Sequence, residues 1–317
     1  MPDPRLGSPC RPTGYQRRRR HCRRSRRSPS TAHEPISEMI MTDQQPSAGD
    51  SGSACPRDLG LGEAHPARMY DFYLGGKSHY LVDQAAAEQV LQAFPSIRTC
   101  AQQNRDFMLR ATRLLAAEYG IRQFLDIGTG IPTRPNLHEV VQGVLPAARV
   151  VYVDNDPVVL THARALLTSS AQGSTSYVEA DITAPDLVGR VTGDLDLSRP
   201  VALSLVAILH FLTDSQDPYG IVRRLMDTLP SGSALILSHC TGDFDPATWD
   251  QVVGIYRRAG VRAQVRTRGE VTSFFQGMNL LEPGIAVGHR WHPTSPGTVA
   301  GVPDADVSLL AGVGIKP

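Results

Sequence analysis

The stretch Gln123-Phe124-Leu125-Asp126-Ile127-Gly128-Thr129-Gly130 decides the fold that we expect of this chain. Its apolar half is typical of a buried strand, and its two glycines allow a sharp turn that lets a ligand approach the backbone. A dinucleotide-binding loop needs a third glycine at position 133, where this chain has Thr133. The carboxylate of Asp126 would repel a phosphate, and it suits a ligand with an amino or a sulfonium group.

Short apolar runs alternate with helical patterns after this stretch. Such an alternation indicates a mostly parallel sheet with helices on both faces. The long apolar run 201–208 is typical of a central strand that is buried on both faces. We predict an α/β chain with seven strands, at residues 124–127, 150–153, 175–178, 201–208, 234–237, 280–281 and 307–313.

Two further acids follow the second and third of these strands. Asp154 lies 24 residues after Gly130, where an acid can accept hydrogen bonds from both hydroxyls of a ribose. Asp181 could accept from an adenine amino group. The plainer alternatives are a helix cap for Asp154, the role that we expect of Asp156, and a solvated loop acid for Asp181. With Asp126, these acids are typical of a nucleoside site that has no phosphate clamp.

The first 64 residues differ from the rest of the chain. They hold 11 of the 32 basic residues and 7 of the 31 acidic ones, and residues 17–20 are consecutive arginines. No apolar residues recur there at helical or strand spacing, so we expect a disordered leader. The arginine run could be a nucleic-acid arm or a targeting peptide. We favour a translation start set too far upstream, with Met39 or Met41 as the later start.

A folded domain is expected from residue 65 to residue 317, with a helical cap over 65–120 and the sheet over 121–317. In the cap, Asp83 is expected to cap a helix that ends before Pro95, and a second helix spans 98–118 and stops at Gly120. Later in the chain, Thr267 and Glu270 have the spacing of a capping box.

Composition excludes several classes of protein. Residues 65–317 hold 21 basic and 24 acidic residues, so we expect no nucleic-acid partner of the usual basic kind. No run reaches the ~18 apolar residues of a membrane-spanning helix, and no apolar stretch follows the arginines as in a secretory signal. Five scattered cysteines and the spacing of the histidines predict neither a disulfide framework nor a metal site. We expect a cytoplasmic protein.

Several stretches together carry a resemblance to one family, the actinobacterial S-adenosyl methyltransferases. The resemblance covers about residues 65–317 and implies a Rossmann-like methyltransferase fold with S-adenosyl-L-methionine as cofactor. The stretches are Ala67-Arg-Met-Tyr-Asp-Phe-Tyr-Leu-Gly-Gly-Lys77, Phe94-Pro-Ser-Ile-Arg98, Asn104-Arg105, Gln123-Phe-Leu-Asp-Ile-Gly-Thr-Gly-Ile-Pro-Thr133, His138-Glu-Val, Val151-Tyr-Val-Asp-Asn-Asp-Pro157, Ala207-Ile-Leu-His-Phe211, Asp217-Pro-Tyr-Gly220 and Leu237-Ser-His239.

The resemblance also implies a role for the segment before the sheet. Tyr73, Gly75, Gly76 and Lys77 would form a lid over the cofactor, with Lys77 or Arg105 pairing with its carboxylate. A helix-surface ion pair with Asp106 is the alternative for Arg105, and simple packing of the helices is the alternative for the lid. The expected cofactor site comprises Tyr73, Gly75, Gly76, Lys77, Arg105, Asp126, Gly128, Thr129, Gly130, Asp154, Asn155, Asp181, Ile182 and Val206.

His210 is the candidate catalytic residue. It follows the long apolar run, and a side chain there could act as a general base if the acceptor must lose a proton. A core histidine bonded to the backbone is an equal alternative, and His239 is a weaker candidate. No Gly-x-Ser-x-Gly nucleophile motif is present, and methyl transfer needs none.

Three functions are compatible with the sequence. The favoured one is methyl transfer from S-adenosylmethionine to a small-molecule acceptor atom that the sequence does not identify. A sensor or partner-binding protein that holds the cofactor without catalysis is the alternative. A nicotinamide-dependent oxidoreductase is disfavoured by Thr133. The presence of an open acceptor pocket beside the methyl group distinguishes an enzyme from a sensor.

Overall fold

The computed structural model describes residues 62–166, 168–293 and 301–317. Its centre is a sheet in the order β3-β2-β1-β4-β5-β8-β6, and a two-residue strand, β7, pairs with β8 off this path. The seven strands that the sequence predicts are the seven strands of this order, and β7 is an additional strand that the sequence did not predict. The strands are β1 (Gln123–Ile127), β2 (Arg149–Asp154), β3 (Ser174–Glu179), β4 (Ala202–Val206), β5 (Ala234–Cys240), β6 (Asn279–Leu280), β7 (Ala286–Val287) and β8 (Leu309–Ile315).

Helices connect the strands. The 3₁₀ turns Leu209–Phe211, Asp214–Gln216 and Gly288–Arg290 complete the described elements. The helices are α1 (Pro66–Tyr73), α2 (Leu81–Ala93), α3 (Ile97–Ala117), α4 (Leu137–Val144), α5 (Pro157–Leu166), α6 (Leu187–Val191), α7 (Pro218–Asp227), α8 (Pro246–Arg258), α9 (Arg268–Ser273) and a last turn, α10 (Asp304–Val307).

The direction of the strand order changes at the centre of the sheet. From β1 the chain moves to β2 and β3 on one side, then returns to β4 and β5 on the other, and β1 to β5 all run parallel. Because parallel crossovers are right-handed, this reversal puts the connecting helices on opposite faces. The strand β8 runs antiparallel to β5. This is the Rossmann-like α/β fold that was expected.

The central strands are buried because their apolar side chains face helices on both sides. Every residue of β1 and β5 is buried. The strand β4 is shorter than the apolar run 201–208 predicts, since it ends at Val206 and Ala207 has a positive φ of 57°. His210 therefore lies in a 3₁₀ turn beyond the strand and not on the strand itself.

A buried ion pair joins the first two helices. The Nε atom of Arg68 lies 3.0 Å from Oδ2 of Asp83, and the two side chains are 2% and 0% exposed. Asp83 is the third residue of α2, where it accepts from the amides of Tyr80 and His65 at 2.8 Å each. Asp83 therefore caps α2 from its third position, in a capping box with the N-cap residue Tyr80, and its carboxylate also pairs with Arg68.

The start of α9 agrees with its predicted cap. Thr267 and Glu270 form the predicted capping box at the start of α9. Within the described ranges, no helix is both long and apolar enough to span a bilayer. The predicted disordered leader lies, up to residue 61, outside the described residues.

Candidate functional site

A cavity of about 460 Å³ lies at the carboxyl ends of the central strands. It opens beside the neighbouring strands β1 and β4, where the strand order changes direction. Open α/β sheets bind ligands at such a point because the loops that leave the two strands diverge. Asp126, Asp154 and Asp181 all line this cavity. The three acids that the sequence singled out are thus brought together.

Two glycines with positive φ build the loop after β1. The φ angle is 73° at Gly128 and 68° at Gly130, a conformation that other residues disfavour. A Cβ at Gly128 would collide with the side chain of Ile208, whereas no atom lies within 4 Å of a Cβ at Gly130. Gly128 therefore lets the loops after β1 and β4 touch, and Gly130 leaves its backbone open to the cavity.

Asp126 lies at the base of this loop and is 6% exposed. The Oγ1 hydroxyl of Thr129 donates to its Oδ2 atom at 2.8 Å. Burial raises the pKa of Asp126, although the Thr129 hydroxyl and the charge of Arg105 oppose the rise. A cationic group in the cavity would favour the ionised carboxylate, because its charge replaces the hydration that the carboxylate lost on burial.

The carboxylate of Asp154 is held by two backbone amides. Its Oδ2 accepts from Gly130 and its Oδ1 accepts from Asp156, each at 2.9 Å. Burial raises the pKa of Asp154 to about 6, and these two hydrogen bonds oppose the rise. Asp156 accepts from the amide of Val158 at 2.8 Å and so caps α5, as its position predicts.

Asp181 and Asn155 form a more exposed part of the cavity wall. The Nδ2 atom of Asn155 donates to Oδ2 of Asp181 at 2.8 Å, and the amide of Thr183 donates to Oδ1 at 2.8 Å. Burial raises the pKa of Asp181, but hydrogen bonds from Thr183 and Asn155 outweigh it and lower the pKa overall. Ile182 is buried beside this pair, and Val206 lines the cavity at the end of β4.

Arg105 lines the cavity from α3. Its guanidinium donates to the carbonyl oxygens of Thr133 and, at 2.7 Å, of Pro135. Among the described residues it forms no ion pair, so the alternative pairing with Asp106 is not seen; Asp106 instead accepts from Gln102. Arg105 thus ties α3 to the loop after β1 and keeps its charge next to Asp126.

The glycine segment after α1 departs from the expectation. Tyr73 lines the cavity, but Gly75, Gly76 and Lys77 do not, and Lys77 is exposed. A Cβ at Gly76 would collide with the carboxylate of Asp71, which accepts from the amide of Ser78 at 2.8 Å and contacts His79 at 3.0 Å. The two glycines therefore let the chain turn tightly around Asp71, and the structure does not place them in the lining of the cavity.

A different stretch of the N-terminal segment covers the cavity. Residues 63–67 line it, and Ala64 is 8% exposed. The Nδ1 atom of His65 lies 3.2 Å from Oδ2 of Asp156, next to the end of β2. Glu63 and Ala64 line the cavity although the folded domain was expected to begin only at residue 65. The sequence offered no periodic signal for them, because only the path of the chain brings them there.

His210 lines the cavity within the turn after β4 and is 9% exposed. Its Nδ1 atom has no hydrogen-bond partner among the described residues. Burial lowers the pKa of His210 to about 3, and the charge of Arg266 adds to the fall. The imidazole is therefore neutral throughout the physiological range, and the alternative of a core histidine satisfied by the backbone is not supported at Nδ1.

Arg266 is buried beside the turn that carries His210, and the sequence did not reveal this position. It is 1% exposed and donates to the carbonyls of Leu209 (3.1 Å) and Leu212 (3.0 Å), and to Oδ1 of Asp214 (2.7 Å). Its Nη1 atom lies 2.9 Å from Nε2 of His239. Since an arginine can only donate, it holds the turn that carries His210 and keeps Nε2 of His239 as an acceptor.

A chain of hydrogen bonds crosses the cavity wall from α1 to β5. Ser238 Oγ donates to Oδ1 of Asn104 at 2.6 Å, and Asn104 Nδ2 donates to the Tyr70 hydroxyl at 2.9 Å. Tyr70 donates in turn to the carbonyl of Ala101, and Ser238 accepts from the amide of Ala207. This last bond holds the positive φ at Ala207. The stretch Asn104-Arg105 had carried part of the resemblance, but its bonding partners were not predictable.

The strand order and the crevice beside β1 and β4 are those of the Rossmann-like fold of S-adenosylmethionine-dependent methyltransferases. The chain belongs to the S-adenosyl methyltransferase family, whose model matches residues 53–317. Its cofactor is S-adenosyl-L-methionine, and it is a methyltransferase. The resemblance predicted from the quoted stretches is confirmed.

Two solved structures are similar over most of their length. A DUF574 family protein from Streptomyces avermitilis MA-4680 is 46% identical, with 82% of this chain and 100% of that chain covered and a TM-score of 0.79. A candidate methyltransferase from Thermobifida fusca YX is 36% identical, with 83% and 99% covered and a TM-score of 0.74. A comparison with curated proteins gave no match.

Proposed function

We propose that the cavity holds S-adenosylmethionine along the ends of β1, β2 and β3, and that a small-molecule acceptor binds beside it near β4 and β5. The supporting observation is the hydrogen bond from Gly130 to Asp154, which directs one carboxylate into the cavity next to an open loop backbone. The cofactor supplies a methyl group on a positively charged sulfur. The chain's contribution is to bind, orient and exclude water.

The residues fit such a nucleoside. Asp154 has oxygen lone pairs beyond its two backbone partners and would accept from the ribose hydroxyls. Asp181 would accept from the adenine amino group, with Asn155 orienting its carboxylate at 2.8 Å and Ile182 packing against the ring. Gly128, Thr129 and Gly130 would bring the backbone close to the ligand.

The opposite end of the cofactor carries an ammonium and a carboxylate. Asp126 would pair with the ammonium, since its pKa is raised by burial and an added cation would favour its ionised form. Arg105 would pair with the carboxylate through the donors that its two loop carbonyls leave free. Tyr73 and Val206 would line the space around the methyl group. Lys77 has no role in this arrangement because it is exposed.

Calorimetric titration of the full chain with S-adenosylmethionine, S-adenosylhomocysteine and NAD tests the assignment. We expect the first two to bind and NAD not to bind. Asp154→Ala should weaken binding by roughly 1.5–3 kcal/mol, the worth of hydrogen bonds to a charged group. Asp250→Ala is the matched control, because Asp250 is exposed on α8. Equal affinity in Asp154→Ala and Asp250→Ala would remove Asp154 from the site.

A labelling experiment would identify the class of the methyl acceptor. Incubating the protein and radiolabelled S-adenosylmethionine with a metabolite extract should transfer label to a small molecule. Label found only on protein or on nucleic acid would contradict a small-molecule acceptor.

A further inference from the structure

The cavity has a charged half and an uncharged half. The acids at the ends of β1, β2 and β3 define the charged half. Burial raises the pKa of Asp126 and the positive charge of Arg105 opposes that rise, while the positive charge of Arg262 contributes to the lowered pKa of Asp181. The uncharged half lies towards β5 and α8. Its wall is formed by Tyr73, Ile97, Cys100, Phe211, Cys240 and Tyr256.

The members of the uncharged wall contact one another. The hydroxyls of Tyr73 and Tyr256 lie 3.2 Å apart, and the rings of Phe211 and Tyr256 are 5.7 Å apart between centroids. Cys100 and Cys240 are both free, buried cysteines, and the Cys100 thiol affects the pKa of Cys240. All six residues except Phe211 are less than 9% exposed. Five of them belong to one hydrophobic cluster, and Phe211 packs against it.

A charged molecule would be poorly stabilised against this wall. Burial raises the pKa of Tyr73 and of Tyr256, so both phenols stay neutral. The neighbouring Cys100 side chain, and then burial, likewise raise the pKa of the Cys240 thiol, which leaves it uncharged and therefore a poor nucleophile. An ion placed here would lose its hydration without meeting an opposite charge, and that cost is large.

One polar group in this half lacks a partner. The Tyr70 hydroxyl and the Asn104 amide already bond to other groups of the chain, whereas Nδ1 of His210 has no partner among the described residues. The His210 ring packs 4.4 Å from that of Phe211, at the edge of the uncharged wall. A neutral imidazole both donates and accepts one hydrogen bond.

We propose that the methyl acceptor is an uncharged molecule with an apolar, ring-sized body, whose hydroxyl hydrogen-bonds to the imidazole of His210. This inference rests on the proposed function. In the transfer, an oxygen lone pair forms the new O–CH₃ bond while the S–CH₃ bond breaks and its electron pair stays on sulfur. The hydroxyl proton passes to the imidazole and then to water. A weakly basic imidazole suffices, because the hydroxyl becomes strongly acidic as the new bond forms.

Three probes of one shape test the acceptor class: 2-naphthol (neutral), 2-naphthoate (an anion) and 2-naphthylmethylammonium (a cation). Their Kd values would be measured at pH 7 by fluorescence on the full chain saturated with S-adenosylhomocysteine. We expect 2-naphthol to bind at least about tenfold more tightly than either ion. Equal or tighter binding of an ion, or no binding of 2-naphthol, overturns the proposal. Failure of S-adenosylhomocysteine itself to bind would instead overturn the proposed function.

Variants localise the probe. His210→Leu should abolish the preference for 2-naphthol over 2-methylnaphthalene, and His210→Gln should retain part of it. Cys100→Phe should weaken 2-naphthol binding at least about tenfold and change the Kd of S-adenosylhomocysteine less than threefold. If Cys100→Phe does not fold, Ile97→Trp serves the same purpose. An undiminished preference in folded His210→Leu, or undiminished 2-naphthol binding in the folded filling variant, contradicts the proposal.

Discussion

The backbone amide of Gly130 donates a 2.9 Å hydrogen bond to Oδ2 of Asp154. These residues follow β1 and β2, which pair in parallel with Ile127 opposite Val153. The bond thus ties the glycine loop to the acid of the neighbouring strand, and it orients the carboxylate before any ligand binds. Such preorganisation reduces the entropy that binding must otherwise cost.

The two loop glycines should respond differently to alanine. Gly128→Ala adds a Cβ that collides with Ile208 at a positive φ, so we expect a loss of about 2–4 kcal/mol in the free energy of unfolding. Gly130→Ala meets only the strain of its φ, about 1 kcal/mol, because the space is open. Urea unfolding of both variants measures the difference. Equal losses would show that contact with Ile208 does not decide the cost.

The affinity for S-adenosylmethionine should fall below pH 6. The pKa of Asp154 is raised to about 6 by burial, so its carboxyl gains a proton as the pH falls through that value. The protonated group is a poorer acceptor for ribose hydroxyls. Between pH 7.5 and pH 5, we expect Kd to rise about tenfold, as one titrating group allows. Calorimetry in two buffers of different ionisation enthalpy would also detect the linked proton.

The same carboxyl contributes to stability with the opposite trend. Its pKa in the folded protein lies above the ordinary value of 3.8, so the folded state binds this proton more tightly than the unfolded state. This contribution to stability therefore grows as the pH falls from 6 to 4, and it is lost as the pH rises through 6. In Asp154→Asn, both pH trends should flatten. Unchanged trends in that variant would assign them to another group.

Lys77→Ala should leave S-adenosylmethionine binding unchanged within about twofold. Lys77 is exposed and lies outside the cavity lining, so its charge is screened by solvent. Asp71→Ala, in contrast, removes the acceptor around which the chain turns at Ser78. We expect it to destabilise the protein by about 1–3 kcal/mol. A tenfold loss of affinity in Lys77→Ala would support the predicted lid, in which Lys77 contacts the cofactor.

Arg266→Gln should be strongly destabilising, by about 3–5 kcal/mol. The guanidinium is buried, so its removal leaves two backbone carbonyls and the Nε2 atom of His239 without a donor. Arg257→Gln is the control, since that arginine is exposed on α8. Thermal and urea unfolding measure both variants. A loss below 1 kcal/mol in Arg266→Gln would mean that water replaces the missing donors.

The sequence by itself determined the sheet and the acids at its edge. Alternating apolar runs and helical patterns predicted a parallel sheet, and the glycines after Asp126 located its first loop. Residues that end successive parallel strands must share one edge, because parallel strands all end on the same side. Asp126, Asp154 and Asp181 could therefore be grouped without coordinates.

Only the tertiary structure showed which residues distant in sequence from these strand ends form the rest of the cavity and its surroundings. Gly75 and Gly76 are permissive of many turns, and only the packing of Asp71 shows which turn they make. Cys100 lies on α3 and Arg266 lies in the loop before α9. No local sequence pattern shows that these two elements pack near His210. The positions of the strands can be read from the sequence, because an apolar run or alternation is a local property of the chain, whereas the order of the strands in the sheet is not. The walls of the cavity depend on contacts between residues over a hundred positions apart, such as Asn104 and Ser238, and these exist only once the chain has folded.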